Sequence, residues 1–111
     1  MIYLQNGFGA TGSATTTASR VEIQEPAFGD STAVAAKARA VEIINQGSDN
    51  LLLLINVPSD DLATFFTNRS PIVIPTNTTF QVVQQDTDQV SIQSVGLKAS
   101  TGTIAYVVNA Y

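Results

Sequence analysis

Between Val41 and Tyr111, short apolar and β-branched runs recur every few residues, and Gly, Pro, Asn and Asp separate them. That spacing confines this part of the chain to closely spaced β-strands joined by turns. The same sequence contains no His and no Cys. Disulfides, thiolate nucleophiles, Cys-based zinc sites and the usual imidazole base are therefore removed together. The means to build a stable sandwich are present and the usual means of catalysis are not, which points to a scaffold or binding role.

A chain of 111 residues matches one domain with a single core. Charged residues make up 13% and hydrophobic residues 44%, a composition opposed to disorder. The polar surface must then come largely from Ser, Thr, Asn and Gln, which cost less to desolvate than ions and so suit lateral contact with other proteins. The net charge is −4 and no basic run exists, which disfavours a nucleic-acid partner. The longest apolar runs, such as Leu51 to Ile55, are too short to cross a bilayer, and Met1-Ile2-Tyr3-Leu4 lacks the charged start of a signal peptide. The expectation is a soluble product that stays in the cytosol unless it is assembled into something larger.

The chain divides into an extended N-terminal arm, residues 1–19, and one β-sandwich domain, residues 20–111. The arm runs from Ile2-Tyr3-Leu4 through Gly7-Phe8-Gly9-Ala10-Thr11-Gly12-Ser13 to Thr15-Thr16-Thr17, and has little to bury by itself. It admits two readings: a frayed terminus with one edge strand at Ile2 to Leu4, or an arm whose Tyr3, Leu4 and Phe8 anchor on a neighbouring subunit. Arg20 to Gln24 alternates like a short strand that Pro26 limits. Ala33 to Ala40 has the propensity for a helical turn after Asp30-Ser31-Thr32. It lacks a stripe of large apolar residues, however, and an extended segment is favoured.

Val41 to Gln46, Gly47-Ser48-Asp49-Asn50 and Leu51 to Val57 read as a hairpin in which Ile43 pairs with Ile55 and Val41 with Val57. Ile44, Leu52 and Leu54 remain on its second face and call for a cover. Leu62 to Phe66 reads as a short helical turn or an irregular crossover. Pro71 and Pro75 bracket a short edge strand, Ile72 to Ile74. Thr76-Asn77-Thr78 is a turn, followed by a strand, Thr79 to Val83, with Phe80 and Val82 on one face. After a turn at Asp86-Thr87-Asp88, Gln89 to Ser94 alternates as a strand with Val90 and Ile92 inward, and the change of phase at Ser94-Val95-Gly96 suggests a β-bulge or bend. Thr103 to Tyr111 closes the chain as a strand with Ile104, Tyr106 and Val108 on one side. The expected fold is all-β: an antiparallel β-sandwich, jelly-roll-like, with an immunoglobulin-like sandwich as the alternative.

No motif assigns a catalytic, cofactor or metal residue. Gly7-Phe8-Gly9-Ala10-Thr11-Gly12 spells a dinucleotide fingerprint, but poor helix formers follow it where a helix N-terminus is required. Asp60-Asp61 and Asp86-Thr87-Asp88 are close carboxylate pairs without further acidic neighbours, and they read as turn residues rather than calcium ligands. Asn68-Arg69-Ser70 and Asn77-Thr78-Thr79 match the glycosylation pattern, which has meaning only in a eukaryotic secretory context. A glycan-binding sandwich is a second class of function, although sugar platforms favour Trp and the chain has none.

Val41-Glu42-Ile43-Ile44-Asn45-Gln46-Gly47, Leu51 to Val57, Ile72-Val73-Ile74-Pro75 and Ser94-Val95-Gly96-Leu97-Lys98 through Gly102-Thr103-Ile104-Ala105-Tyr106 together resemble the small β-sandwich accessory proteins of tailed bacteriophages. Capsid decoration, or cement, proteins are among these. The resemblance implies a non-enzymatic jelly-roll-like protein, a homo-oligomer with a trimer favoured, clamping neighbouring major capsid protein subunits on the virion surface after synthesis in the host cytoplasm. A tail, baseplate or fibre-attachment module is the alternative within virions. On this reading Ile2, Tyr3, Leu4 and Phe8 are arm anchors, and Phe65, Phe66 and Arg69 form an interface loop. Cofactors, nucleic acid and membrane have no part in it.

Overall fold

One long antiparallel ribbon, wrapped over on itself, accounts for the architecture. The structure is a computed structural model that describes residues 1–26, 32–84 and 91–111. At the open end of the ribbon β2 (Phe8–Ala14) pairs with β11 (Ile104–Ala110), and β3 (Ser19–Glu22) then pairs with β10 (Ser94–Ala99). Next β6 (Ala40–Asn45) pairs with β9 (Thr79–Val83), and at the tip β7 (Leu51–Ile55) pairs with β8 (Ile72–Ile74). Wrapping brings β11 beside β6 and β10 beside β7, giving two four-stranded sheets in the orders β2-β11-β6-β9 and β3-β10-β7-β8. That is the jelly-roll winding, so the expected all-β sandwich holds. A small third sheet joins β1 (Ile2–Tyr3), β5 (Val34–Lys37) and β4 (Gln24–Glu25).

Alternation along the strands builds the core. Val41 and Ile43 of β6, Leu51 and Leu53 of β7, Val95 and Leu97 of β10, and Ile104 and Val108 of β11 are all buried in one cluster between the sheets. Ile23, fully buried, sits where the chain passes from β3 to β4. Ala33 to Ala40 is extended in its strand β5, and Ala38 continues it with an isolated bridge to Ile92. The edge strand between Pro71 and Pro75 and the strand with Phe80 and Val82 inward are found as expected.

The hairpin expected at Val41 to Val57 does not form. Ile43 pairs with Val108 and Phe80, not with Ile55, and β6 and β7 lie in opposite sheets. The residues between them arch from sheet to sheet, because both runs carry a face for the same core and burial is better served by facing each other than by lying side by side. The arch is organised by Asn45, whose side chain is fully buried. Its Nδ2 donates to the carbonyls of Asp49 (2.8 Å) and Ile74 (2.9 Å), and its Oδ1 accepts from the Gly47 amide at 2.8 Å. Gly47 lies flat on Ile104, where a Cβ would come within 2.7 Å of the Ile104 Cγ2.

The N-terminal arm also requires correction. Residues 8–14 form a complete edge strand, in register with β11 from Ala110↔Phe8 to Ile104↔Ala14, and Leu4 and Ala14 belong to the core. The small residues that made this stretch look mobile are complementary to an aromatic ring. Gly12 lies opposite Tyr106, and a Cβ there would approach the Tyr106 hydroxyl to 2.7 Å. Tyr106 can therefore fold down over the strand, only 8% exposed, and burial raises its phenol pKa above the ordinary value.

The bulge expected at Ser94-Val95-Gly96 is absent, since the register of β10 with both neighbours runs through it without interruption. The change of phase records a strand buried on both faces. Val95 and Leu97 point into the core, while α1 (Leu62–Asn68) lies over Gly96, whose missing side chain leaves room for Phe66 and Val57 at 3.1 Å from the Cβ position. The second cluster, Leu54, Val57 and Phe66 with Leu52, Leu62 and Phe65 packed against it, supplies the cover expected for Leu52 and Leu54. Asp61 starts the helix in the left-handed region (φ 57°), and its carbonyl accepts from the Phe65 amide at 3.2 Å. The expected turn at Asp86-Thr87-Asp88 and the inward Val90 lie outside the described residues, as do Asp30 and Ser31.

Replacing Asn45 by Ala strands the buried Ile74 carbonyl and removes the Asp49 and Gly47 hydrogen bonds that hold the arch, and should cost about 3 kcal/mol. A fall in Tm of roughly 10–15 °C is expected in a thermal melt monitored by circular dichroism.

Candidate functional site

The four arm residues have parted. Leu4 is buried in the core and Phe8 packs against it. Tyr3 is held by its own chain. The Lys37 Nζ and the Arg39 guanidinium lie 4.5 Å and 4.0 Å from its ring centroid, and its hydroxyl accepts from the Gln84 Nε2 at 3.3 Å. Only Ile2, 51% exposed, stays available to a partner. The expected anchoring by Tyr3, Leu4 and Phe8 is therefore corrected, because these side chains find their partners within the sandwich.

A carboxylate holds the two residues that follow Leu4. One oxygen of Glu25 accepts from the Gln5 amide (2.8 Å) and the other from the Asn6 Nδ2 (3.0 Å). The Gln5 hydrogen bond, with help from Asn6, holds the Glu25 pKa below its ordinary value.

Phe65, Phe66 and Arg69 are brought together on α1 and its C-terminal cap, with different duties. Phe66 is 7% exposed and sits on the sheet, so it is corrected from an interface residue to a packing residue. Phe65 is half-buried, and the exposed Arg69 stacks on its ring at 4.8 Å. This pair forms a ridge between two hollows. The larger, about 470 Å³, is lined by Arg20, Asn56, Val57, Pro58, Gln93 and Ser94 together with the ridge. The smaller, about 180 Å³, is lined by Thr64 and Asn68 together with the ridge.

Sequence reasoning did not find the floor of the larger hollow. Asn56 stands at φ 56°, accepts from the Gln93 amide (2.6 Å) and the Ser94 amide (3.3 Å), and donates to the Ser91 carbonyl at 2.8 Å. It clamps the end of β7 to the start of β10. The Ser94 hydroxyl both donates to the Val57 carbonyl (2.9 Å) and accepts from the Val57 amide (3.0 Å), so it serves as a structural link. Arg20 donates through Nε to the Val57 carbonyl (2.9 Å) and through Nη1 to Glu22 at 3.2 Å. Glu22 is held below its ordinary pKa first by the Gln24 amide and then by Arg20. An asparagine interrupting Leu51 to Val57 was the available signal, since Asn tolerates positive φ where a strand must break.

The outer face of the β2-β11-β6-β9 sheet is the other feature that the fold leaves open. Register places Thr11, Val107, Ile44 and Thr79 in one row across it, with Gly9, Asn109, Glu42 and Gln81 in the next. Glu42 is the one ionisable residue of these eight, and it accepts from the Asn109 Nδ2 at 3.3 Å. Ile44 and Val107 pack into neither hydrophobic cluster of the described residues. The opposite sheet has α1 over its outer face, and among the described residues no helix lies over this one.

Gly7 to Gly12 belongs to this sheet. The glycines lie in and beside a strand paired over seven positions, not at a strand-to-helix turn. The dinucleotide reading of the motif therefore has no structural basis.

The geometry defines an all-β jelly-roll sandwich with a polar hollow beside α1 and, among the described residues, a second sheet whose outer face no helix covers. No protein-family model and no curated protein matches the sequence. Among solved structures the chain resembles a crystal structure of PirA, with a TM-score of 0.50 and 12% identity, over 93% of this chain and 92% of that one. At that identity the likeness shows the fold alone.

Acidification should release the N-terminal residues. A carboxylate whose pKa is depressed in the folded state contributes stability above its unfolded value and loses it as pH falls through the folded value. The protection of the Gln5 amide against hydrogen exchange, relative to an unstructured amide at the same pH, is expected to fall below the ordinary Glu range, and Glu25→Gln should remove that pH step.

Proposed function

We propose that this chain is a non-enzymatic structural protein of a bacteriophage virion, a decoration protein that binds neighbouring major capsid subunits as a homo-oligomer. The observation that carries the reading is the bare outer face of the β2-β11-β6-β9 sheet. Its Thr11, Val107, Ile44 and Thr79 row offers neutral, small and β-branched side chains that are cheap to desolvate. The rigid jelly roll beneath it limits the ordering cost on binding, and repetition by symmetry would add many modest contacts into firm attachment. Of the sequence-derived contact set, Ile2 and Arg69 are exposed and Phe65 is half-buried.

Particles purified by density gradient from cells producing this chain should carry it in many copies around the shell. Val107→Lys with Ile44→Lys should fold yet lose particle association, read by co-sedimentation. Absence of the wild-type chain from particles, or undiminished co-sedimentation of the folded double variant, would overturn the reading. A few copies at one vertex would favour a tail module instead.

A further inference from the structure

We propose that the hollow beside α1 binds an acidic saccharide, with its carboxylate or sulfate held between Arg69 and Arg20 and a sugar ring lying against the Phe65 edge of the ridge. Nine carboxylates outnumber five Lys and Arg over the whole chain, yet two of the five cations line this one cavity and, among the described residues, no carboxylate lines it. Arg69 is exposed and, among the described residues, has no ion pair. Its planar guanidinium is pre-oriented by the stack on Phe65, which reduces the ordering cost of presenting a forked donor to an anion. Arg20 is fixed by the Val57 carbonyl and Glu22, and its Nη2 makes no hydrogen bond among the described residues.

The remaining chemistry selects the ligand class. The floor is rigid, because Asn56 and Ser94 spend their side chains on the β7–β10 junction. Gln93 is exposed at the rim, and Thr64 and Asn68 lie beyond the ridge, so neutral hydrogen-bonding groups flank the cationic pair on both sides. A hydroxyl-rich ligand with one anionic group matches that arrangement. A cavity of about 470 Å³ falls among small-molecule sites, which span roughly 300–1,000 Å³. The net charge of −4 repels long polyanions, so a nucleic acid is a poor fit for the same two arginines.

The test uses the isolated full chain, so its outcome is independent of particle binding. Two-dimensional 15N–1H spectra would be recorded with sialyllactose, a sulfated heparin disaccharide, neutral lactose and sodium sulfate alone. The two acidic sugars should shift the amides of Asn56, Phe65 and Gln93 saturably, and lactose should not. Arg69→Ala should weaken that binding about 10- to 100-fold, the loss expected for a hydrogen bond to a charged group. Arg39→Ala, which removes the arginine on Tyr3, should leave it unchanged. Absence of saturable shifts, equal response to lactose, affinity for free sulfate matching that for the sugars, or indifference to Arg69→Ala would each overturn the proposal.

Discussion

A buried amide at the first corner of the arch sets the course of the whole chain. Asn45 is the last residue of β6 and is fully buried, and its side chain is spent on Gly47, Asp49 and Ile74. Two of these bonds fold the arch back on itself, and the third ties it to the edge strand of the opposite sheet. Unmade, the bond to Ile74 would leave the buried Asn45 amide and a buried carbonyl without partners, at a cost of about 1–3 kcal/mol for each polar group. Once β6 is turned away from β7, its two edges are free for β9 and β11. The ribbon then has to wrap instead of closing into a meander of local hairpins.

Much of this was legible in the sequence, and the errors share one cause. The strands at Leu51 to Ile55 and Thr79 to Val83, the proline-guarded edge at Ile72 to Ile74 and the inward side of Ile104, Tyr106 and Val108 follow from alternation and turn residues, which are local. Pairing is not local. Gly47-Ser48-Asp49-Asn50 suits a hairpin turn and an arch equally well, and the buried Asn45 is what separates them. Glycines misled twice for the same reason. Gly12 and Gly96 look like flexibility or a bulge in isolation, yet each is the space occupied by an aromatic partner, Tyr106 and Phe66, far away in sequence. Of the interface residues, Phe65 and Arg69 are brought together at the surface, whereas Leu4, Phe8 and Phe66 were apolar because they are core.

The two sheets carry different outer faces, and the two proposed roles divide along that difference. Gly96 lets α1 settle on one sheet, and the helix brings Phe65 and Arg69 beside Arg20 to wall a polar hollow. The other sheet keeps a nearly uncharged row across four strands. The hydroxyl of Ser94 and the amide of Asn56 at the floor of that hollow are consumed by the fold. The proposed roles rest on these surfaces, while the jelly roll supplies their rigidity.

The wrapped ribbon is the claim on which both surfaces depend, and cross-strand nuclear Overhauser effects test it directly. The account predicts backbone contacts from Ile43 to Val108 on one side and to Phe80 on the other, together with contacts between the Tyr106 ring and the Gly12 α-protons. Backbone contacts between Ile43 and Ile55, the signature of a local hairpin, would contradict it.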